Sequence, residues 1–150
     1  MAASTGLDER ESDAWRAFLE AQRRVIDALD SFTKRSTGIA VEDYEVLMQL
    51  AEAPERRLRM RDLANRLCFS PSRLSHRIDR LSELGFVDRE PVPGDRRGTY
   101  ATLTDYGREL VERHSQAHVE AVRSLLFDKL DDAEIDAMRG ALTRVADSLR

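Results

Sequence analysis

The stretch PVPGDRRGTYATLT, residues 91–104, decides the fold of this 150-residue chain. Two runs rich in apolar or β-forming residues, Phe86-Val87 and residues 99–103, flank a segment that contains two prolines, two glycines and an aspartate. Strand, Pro/Gly turn and strand in this order are typical of a β-hairpin. The sequence therefore predicts a hairpin with Arg96 and Arg97 at its tip.

The helix before the hairpin has the clearest start and stop signals in the chain. Ser70 can cap its first turn, Pro71 suits its first position, and Gly85 suits the residue after its end. Four apolar side chains at helical spacing predict its buried stripe: Leu74, Ile78, Leu81 and Leu84.

The opposite face of this helix is polar and basic. A step of about 100° per residue predicts a set of outward side chains, with the last two at the margins: Ser72, Arg73, His76, Arg80, Ser75 and Arg77. Such a face suits the major groove of DNA, because arginine can bind guanine bidentately and serine can reach phosphates or base edges. A basic face on one helix is usually only solvated, and it is the hairpin after it that favours DNA binding.

The remaining segments are predicted to be helical, so the fold class is mainly α with a small β-hairpin. Apolar residues recur at helical spacing in a first helix from about residue 9 to 37, a second over about 42–53, a third over 60–67, and two more after Thr104 and Asp131. The third helix has no Ser, Thr or Asp at its start. Residues 56–59 form a connector with room for one short strand.

Charge is distributed unevenly along the chain. The net charge is −4, yet residues 56–100 contain 11 arginines against 6 acidic residues, while the segments before and after them are acidic. The basic middle third can meet a polyanion although the whole chain is acidic. This distribution agrees with double-stranded DNA as the partner.

These motifs together resemble those of the MarR family of transcriptional regulators. The resemblance spans nearly the whole chain and is carried by LANRL (63–67), the helix at 70–84, LGFVDRE (84–90) and GDRRGTYATLTDYG (94–107). It implies a winged helix-turn-helix in a single domain, 1–150. The DNA-binding lobe would be about 42–104, with dimerisation helices at about 9–37 and 105–150.

The resemblance also implies roles for residues of the hairpin. The family's wing signature is met by Asp95, Arg97, Leu103, Thr104 and Gly107. Arg97 is then expected to enter the minor groove, where a narrow A·T groove concentrates negative potential. Asp95 would orient the hairpin through an ion pair, and Arg96 would reach phosphates. With Ser70 added as the helix cap, these residues complete the predicted DNA-binding set.

An apolar seam near the C-terminus needs a partner. It has spacings of three and four residues and consists of Ile135, Met138, Leu142, Val145 and Leu149. A monomer could bury the seam on its own first helix. The resemblance favours a homodimer instead, which would bind a pseudo-palindromic operator, most simply as a repressor.

Three features are candidates for regulation. Cys68 is the only cysteine and is expected to be an inert small core residue. His114 and His118 are four residues apart and could hold zinc, although a solvated or hydrogen-bonded pair is the simpler interpretation. The resemblance also implies a small aromatic or phenolic effector in a crevice between the dimerisation helices and the DNA-binding lobe. Four aromatic residues could line this crevice, although aromatic residues at helical spacing more often belong to the core: Trp15, Phe18, Phe32 and Tyr44.

Several function classes find no support in the sequence. No phosphate loop, nucleophile elbow or HExxH metal motif is present, so we expect neither an enzyme nor a cofactor. No apolar run approaches the roughly 18 residues of a membrane span, and a single cysteine fits a cytoplasmic setting. Two alternatives stay open: a winged-helix module that binds protein instead of DNA, and a zinc- or redox-responsive regulator.

Overall fold

The computed structural model describes residues 6–149, so residues 1–5 and Arg150 of the predicted domain lie outside the described residues. Along the described chain, six α-helices and three β-strands follow one another. They are α1 (Glu9–Thr37), α2 (Val41–Ala51), β1 (Arg57–Arg59), α3 (Met60–Leu67), α4 (Pro71–Glu83), β2 (Val87–Val92), β3 (Asp95–Leu103), α5 (Asp105–Leu125) and α6 (Asp132–Ser148). The predicted fold class is confirmed. None of the described helices has the length and apolar character to cross a membrane.

The chain divides into two compact units. The first is Asp30–His118, which contains the end of α1, α2 to α4, the three strands and most of α5. The second combines the described parts of Met1–Leu29 and Val119–Arg150. The first unit extends beyond the predicted lobe of 42–104 at both ends, because α1 and α5 also contribute buried residues, Thr33 and His114 among them.

The helix α4 begins and ends as its sequence predicts. Ser70 Oγ accepts a hydrogen bond from the backbone N–H of Arg73 at 3.2 Å, and Pro71 fills the first position. Gly85 follows the end of the helix at φ +79°, a left-handed conformation that favours glycine. α3 has no side-chain cap, as predicted. Local sequence thus fixes both ends of α4, the second helix of a helix-turn-helix.

The core of the Asp30–His118 unit joins the helix-turn-helix to the sheet. Its largest fully buried side chains include Tyr44, Leu47, Leu50, Leu63, Leu74, Ile78, Leu81 and Val87. The predicted stripe of α4 is therefore buried except at its last member. Leu84 is exposed because the helix has ended at Glu83 and the chain turns there.

The three strands form one antiparallel sheet in the order β1-β3-β2. β1 is the short strand for which the connector has room, and Leu58 of β1 lies opposite Ala101 of β3. β2 and β3 form the hairpin, which we call the wing. Its turn is narrower than predicted, because Pro91 belongs to β2 and Asp95 to β3. A proline is tolerated there because β2 is an edge strand.

Arg96 and Arg97 lie in an irregular part of β3 next to the turn. Pro91 pairs with Thr99 while the next residue of β2, Val92, pairs with Asp95, so residues 96–98 have no register partner in β2. A bulge of this kind bends the strand. A Cβ at residue 98 would lie 2.6 Å from Asp95 Oδ2, so the bulge requires a glycine.

The start of α5 packs closely against the residues that flank the wing. Thr104 Oγ1 accepts a hydrogen bond from the backbone N–H of Gly107 at 3.0 Å and donates one to the carbonyl oxygen of Gly85 at 2.7 Å. A Cβ on Gly107 would lie 2.4 Å from the carbonyl oxygen of Phe86 and 2.7 Å from Leu103 Cδ1. The absence of a side chain at Gly107 is therefore what allows this approach.

Gly107→Ala should lower the free energy of unfolding by about 1–3 kcal/mol, because the methyl group meets backbone that cannot move aside. Gly140→Ala in α6 is the matched control. Its new Cβ meets nothing nearer than the flexible end of Arg144 at 3.5 Å, so a gain of about 0.5–1 kcal/mol is expected. Urea unfolding at one protein concentration measures both, and equal effects would contradict this packing.

Candidate nucleic-acid interface

The outward surface at the start of α4 is polar and open. Ser72 and His76 are both exposed and, being four residues apart, they share one face of the helix. Ser72 Oγ lies 3.3 Å from Ser70 Oγ, and the imidazole of His76 has no hydrogen-bond or ion-pair partner among the described residues. Because both side chains are exposed, their hydrogen-bonding groups are accessible to another molecule.

The arginines of α4 form a second stripe, and it is paired with α2. Arg73 contacts the Glu42 carboxylate, and Arg77 contacts both Glu42 and, at 3.1 Å, Asp43 Oδ1. Arg80 Nε lies 3.7 Å from Asp43 Oδ2. The predicted outward exposure holds for Arg73 and Arg80, while Arg77 is half-buried. All three guanidinium groups nevertheless have carboxylate partners.

The third serine of the predicted set, Ser75, is engaged by the wing. Arg89 of β2 donates to the Ser75 carbonyl oxygen at 3.1 Å, to Ser75 Oγ at 3.2 Å and to Asp79 Oδ1 at 2.6 Å. One arginine thus ties the wing to the middle of α4. Sequence reasoning missed Arg89 because its partners lie 10 and 14 residues away.

The tip of the wing is oriented by Asp95. Arg59 of β1 donates to Asp95 Oδ2 at 3.0 Å, and the backbone N–H of Arg97 donates to Asp95 Oδ1 at 3.1 Å. The ion pair that the family resemblance implies for Asp95 is therefore present. The side chains of Arg96 and Arg97 are exposed, and within residues 6–149 neither guanidinium group has an ion pair.

The helix-turn-helix and the wing border one continuous groove. Its volume is about 470 Å³. Phe69 and Leu74 contribute apolar lining, and Arg59, Arg89 and Arg97 contribute cationic groups. The start of α4 and the wing therefore line a single groove.

Comparison with known proteins identifies this arrangement. The sequence profile of the MarR family matches residues 37–98. Sco3205 of Streptomyces coelicolor, a MarR family transcriptional regulator solved in complex with DNA, is 39% identical over 97% of this chain and 91% of its own, with a TM-score of 0.94. This chain belongs to the MarR family. The family consists of transcriptional regulators and not of enzymes, as the sequence predicted.

Two further relatives extend the comparison. The HTH-type transcriptional regulator PecS of Dickeya dadantii is 37% identical over 55% of this chain, and the chain spans only 49% of the length of PecS. CouR of Rhodococcus jostii RHA1, solved with p-coumaroyl-CoA bound, is 28% identical over 95% of this chain and 96% of its own, with a TM-score of 0.77. The MarR architecture therefore covers nearly the whole of this chain.

Cys68 does not lie in the core as expected. It is exposed at the end of α3, where it adopts the left-handed conformation with φ +53°. Its Sγ lies 3.9 Å from the carbonyl oxygen of Asn65. The apolar neighbours Leu67 and Phe69 predicted that Cys68 is buried. The left-handed conformation of Cys68 at the turn between α3 and α4 directs its side chain outward instead.

His114 and His118 are buried, which corrects the expectation of a solvated or hydrogen-bonded pair. Both rings pack on Tyr44, at centroid distances of 4.9 and 5.0 Å, and His114 also stacks on Phe32 at 5.4 Å. His114 Nε2 and His118 Nδ1 are buried without a hydrogen-bond partner. In residues 6–149 no group of three metal-ligating side chains surrounds them. Their four-residue spacing puts both histidines on one face of α5, and the structure shows that this face is buried.

The candidate effector-binding aromatics are divided between the two units. Tyr44 and Phe32 belong to the Asp30–His118 unit, and Tyr44 is fully buried there. Trp15 and Phe18 belong to the other unit, where they are exposed and stack on each other at 5.9 Å. Each unit therefore contains one pair of these aromatic residues.

Burial lowers the pKa of His114, and burial together with the charge of His114 lowers the pKa of His118. A lowered pKa means that the folded protein favours neutral imidazole. The two neutral histidines therefore contribute their full stability above about pH 6.5, the pKa of histidine in the unfolded chain. This contribution is lost as the pH falls below that value, because the unfolded chain then binds protons more readily than the folded protein. The free energy of unfolding should therefore fall between about pH 7.5 and about pH 5.5.

His118→Phe replaces the imidazole with an aromatic ring that binds no proton. The free energy of unfolding of this variant should therefore fall less than that of the wild type over this pH range. Arg139→Ala is the control, because it changes an exposed position of α6 and keeps both buried histidines. Urea unfolding at the two pH values measures all three proteins. An unchanged pH dependence in His118→Phe would contradict a neutral, buried imidazole.

Proposed function

We propose that this MarR family regulator binds a pseudo-palindromic operator as a homodimer and represses transcription. The observation that carries the proposal is the surface that α4 and the wing form together, with its free positive charge at the wing. Arg96 and Arg97 extend from it without ion-pair partners among the described residues, as a polyanion requires. The structure of Sco3205 in complex with DNA supports DNA as the partner by similarity.

The proposed DNA contacts differ between α4 and the wing. Ser72 and His76 are the exposed groups that would read base edges in the major groove, with Ser70, Ser75 and Arg80 beside them. Arg97 would enter the minor groove, Arg96 would contact phosphates, and Asp95 would orient both. Arg73 and Arg77 are left out of this set because their guanidinium groups share the Glu42 carboxylate within the protein.

The proposal of a homodimer is supported by unpartnered apolar surface in the second unit. No residue of α6 is buried within the described chain, and Leu142, Val145 and Leu149 of its apolar seam are exposed. Trp15, Phe18 and Ile26 of α1 are exposed as well. Large apolar side chains in such number mark an interface, and a two-fold axis would pair the recognition helices about one DNA turn apart.

We also propose that a small aromatic or phenolic effector shifts the dimer away from its DNA-fitting geometry. Support comes from CouR, a relative with p-coumaroyl-CoA bound, and from the exposed Trp15 and Phe18. Regulation by zinc finds little support, since His114 and His118 lack a third ligand among the described residues. Redox regulation would have to act through Cys68, the only thiol.

Arg97→Ala should lower operator affinity by about 1–3 kcal/mol, roughly tenfold to a hundredfold, because it removes the minor-groove contact. Arg96→Ala should cost less and should reduce the slope of log K against log salt by about one, as the loss of one phosphate contact does. Fluorescence anisotropy on an operator selected from random duplexes measures both. Arg139→Ala, on α6, is the control.

The alternative of a protein-binding winged helix makes the opposite prediction. Such a module would bind no duplex sequence preferentially, so selection would yield no operator. Its weak affinity for DNA would be the same in Arg97→Ala and Arg139→Ala. Salt-sensitive, sequence-selective binding that Arg97→Ala removes would exclude it.

Leu142→Glu and Val145→Glu should each dissociate the dimer. A buried aliphatic side chain contributes about 1.5–3 kcal/mol and occurs twice at a two-fold interface, so the dissociation constant should rise by about two orders of magnitude or more. Sedimentation velocity measures this change. Thr143→Glu adds the same charge at a polar position of α6 and should leave the dimer intact. Unchanged dimers in all three would place the interface elsewhere.

A further inference from the structure

Two adjacent carboxylates at the start of α2 face the arginine stripe of α4, and we call Glu42 and Asp43 the α2 carboxylate pair. Asp43 is fully buried, with Arg77 Nη1 at 3.1 Å and Arg80 Nε at 3.7 Å. Glu42 is mostly buried and contacts both Arg73 and Arg77. Three cations of the recognition helix thus share two anions from another helix.

Arg73 is fixed by more than this ion pair. Its guanidinium carbon also lies 4.4 Å from the centroid of the Phe69 ring, a cation–π distance. Its backbone N–H donates to the cap at Ser70 Oγ. The side chain is half-exposed, so phosphate could reach it, but any phosphate must compete with a carboxylate already in contact.

From this geometry we propose that Glu42 is a specificity-determining residue, which withholds Arg73 from DNA phosphates. The proposal rests on the proposed function of α4 in DNA binding. Phosphate contacts carry no sequence information and strengthen binding to every duplex alike. With Arg73 neutralised, the open face of α4 consists of Ser72 and His76, groups that distinguish bases. Glu42 therefore reduces non-specific affinity and leaves the base-reading face unobstructed.

Glu42→Gln tests the proposal because it removes the charge and keeps the shape. Freed Arg73 should then bind a phosphate, so affinity for random-sequence duplex at about 0.1 M salt should rise roughly five- to tenfold, and the slope of log K against log salt should steepen by about one. Operator affinity should rise less than about twofold. The gain from the new phosphate contact is offset there, because the variant loses the Glu42 ion pairs that help to orient α4 in the groove. The ratio of operator to random affinity should therefore fall.

Three further proteins separate this effect from a general change in charge. Asp128→Asn, at an exposed position between α5 and α6, changes the net charge equally and should leave random-duplex affinity within about twofold of wild type. Arg73→Met alone should also leave it unchanged, because Glu42 already occupies that arginine. Adding Arg73→Met to Glu42→Gln should abolish the gain. Thermal unfolding verifies that each variant is folded.

The random-duplex measurements decide the proposal without an operator. A Glu42→Gln gain no larger than that of Asp128→Asn would overturn it. A weakened Arg73→Met single variant would overturn it too, because Arg73 would then contact phosphates in the wild type. The proposal is also overturned if the gain in affinity persists in the double variant, or if folded Glu42→Gln binds random duplex more weakly than the wild type. If selection yields no duplex that binds more tightly than random DNA, the proposed operator function fails. The random-duplex measurements would still test the role of Glu42 in that case.

Discussion

The orientation of α4 depends on one buried charge, the carboxylate of Asp43. A buried ion that loses its partners costs about 3–5 kcal/mol, and the partners of Asp43 are Arg77 and Arg80 of α4. Close packing of the buried Leu74, Ile78 and Leu81 sets which face of α4 is turned inward. The ion pairs act in the same sense, because a rotation of α4 would move the charges of Arg77 and Arg80 away from Asp43. Apolar packing and a carboxylate on α2 together therefore set the direction in which Ser72 and His76 face.

The ion pairs of the wing are weaker than those of Asp43. Arg59 pairs with Asp95, and Arg89 pairs with Asp79, but these side chains are all at least one-third exposed. Exposed ion pairs contribute about 0–1 kcal/mol each. The base of the wing is held instead by the buried side chains of Val87, Ala101 and Leu103, while Arg96 and Arg97 near its tip are exposed.

Local signals predicted the elements well, and pairings between distant segments were not predictable. The limits of α4 follow from Ser70, Pro71 and Gly85, which act within one turn of the helix. The partners of Arg73 and Arg77 lie 31 to 35 residues away, and no periodicity encodes them. His114 and His118 illustrate the same limit, because their spacing predicts a shared face but not whether that face is buried.

The ion pairs also explain how an acidic chain can present a basic surface. Of the 11 arginines in residues 56–100, eight form ion pairs with carboxylates within the described chain: Arg56, Arg57, Arg59, Arg61, Arg73, Arg77, Arg80 and Arg89. Arg66, Arg96 and Arg97 do not, and the last two are adjacent on the wing. The positive balance of the segment is therefore concentrated at the wing. Because free cations set the salt dependence of DNA binding, the proposed operator binding would rely more on the fit of α4 and the wing than on total charge.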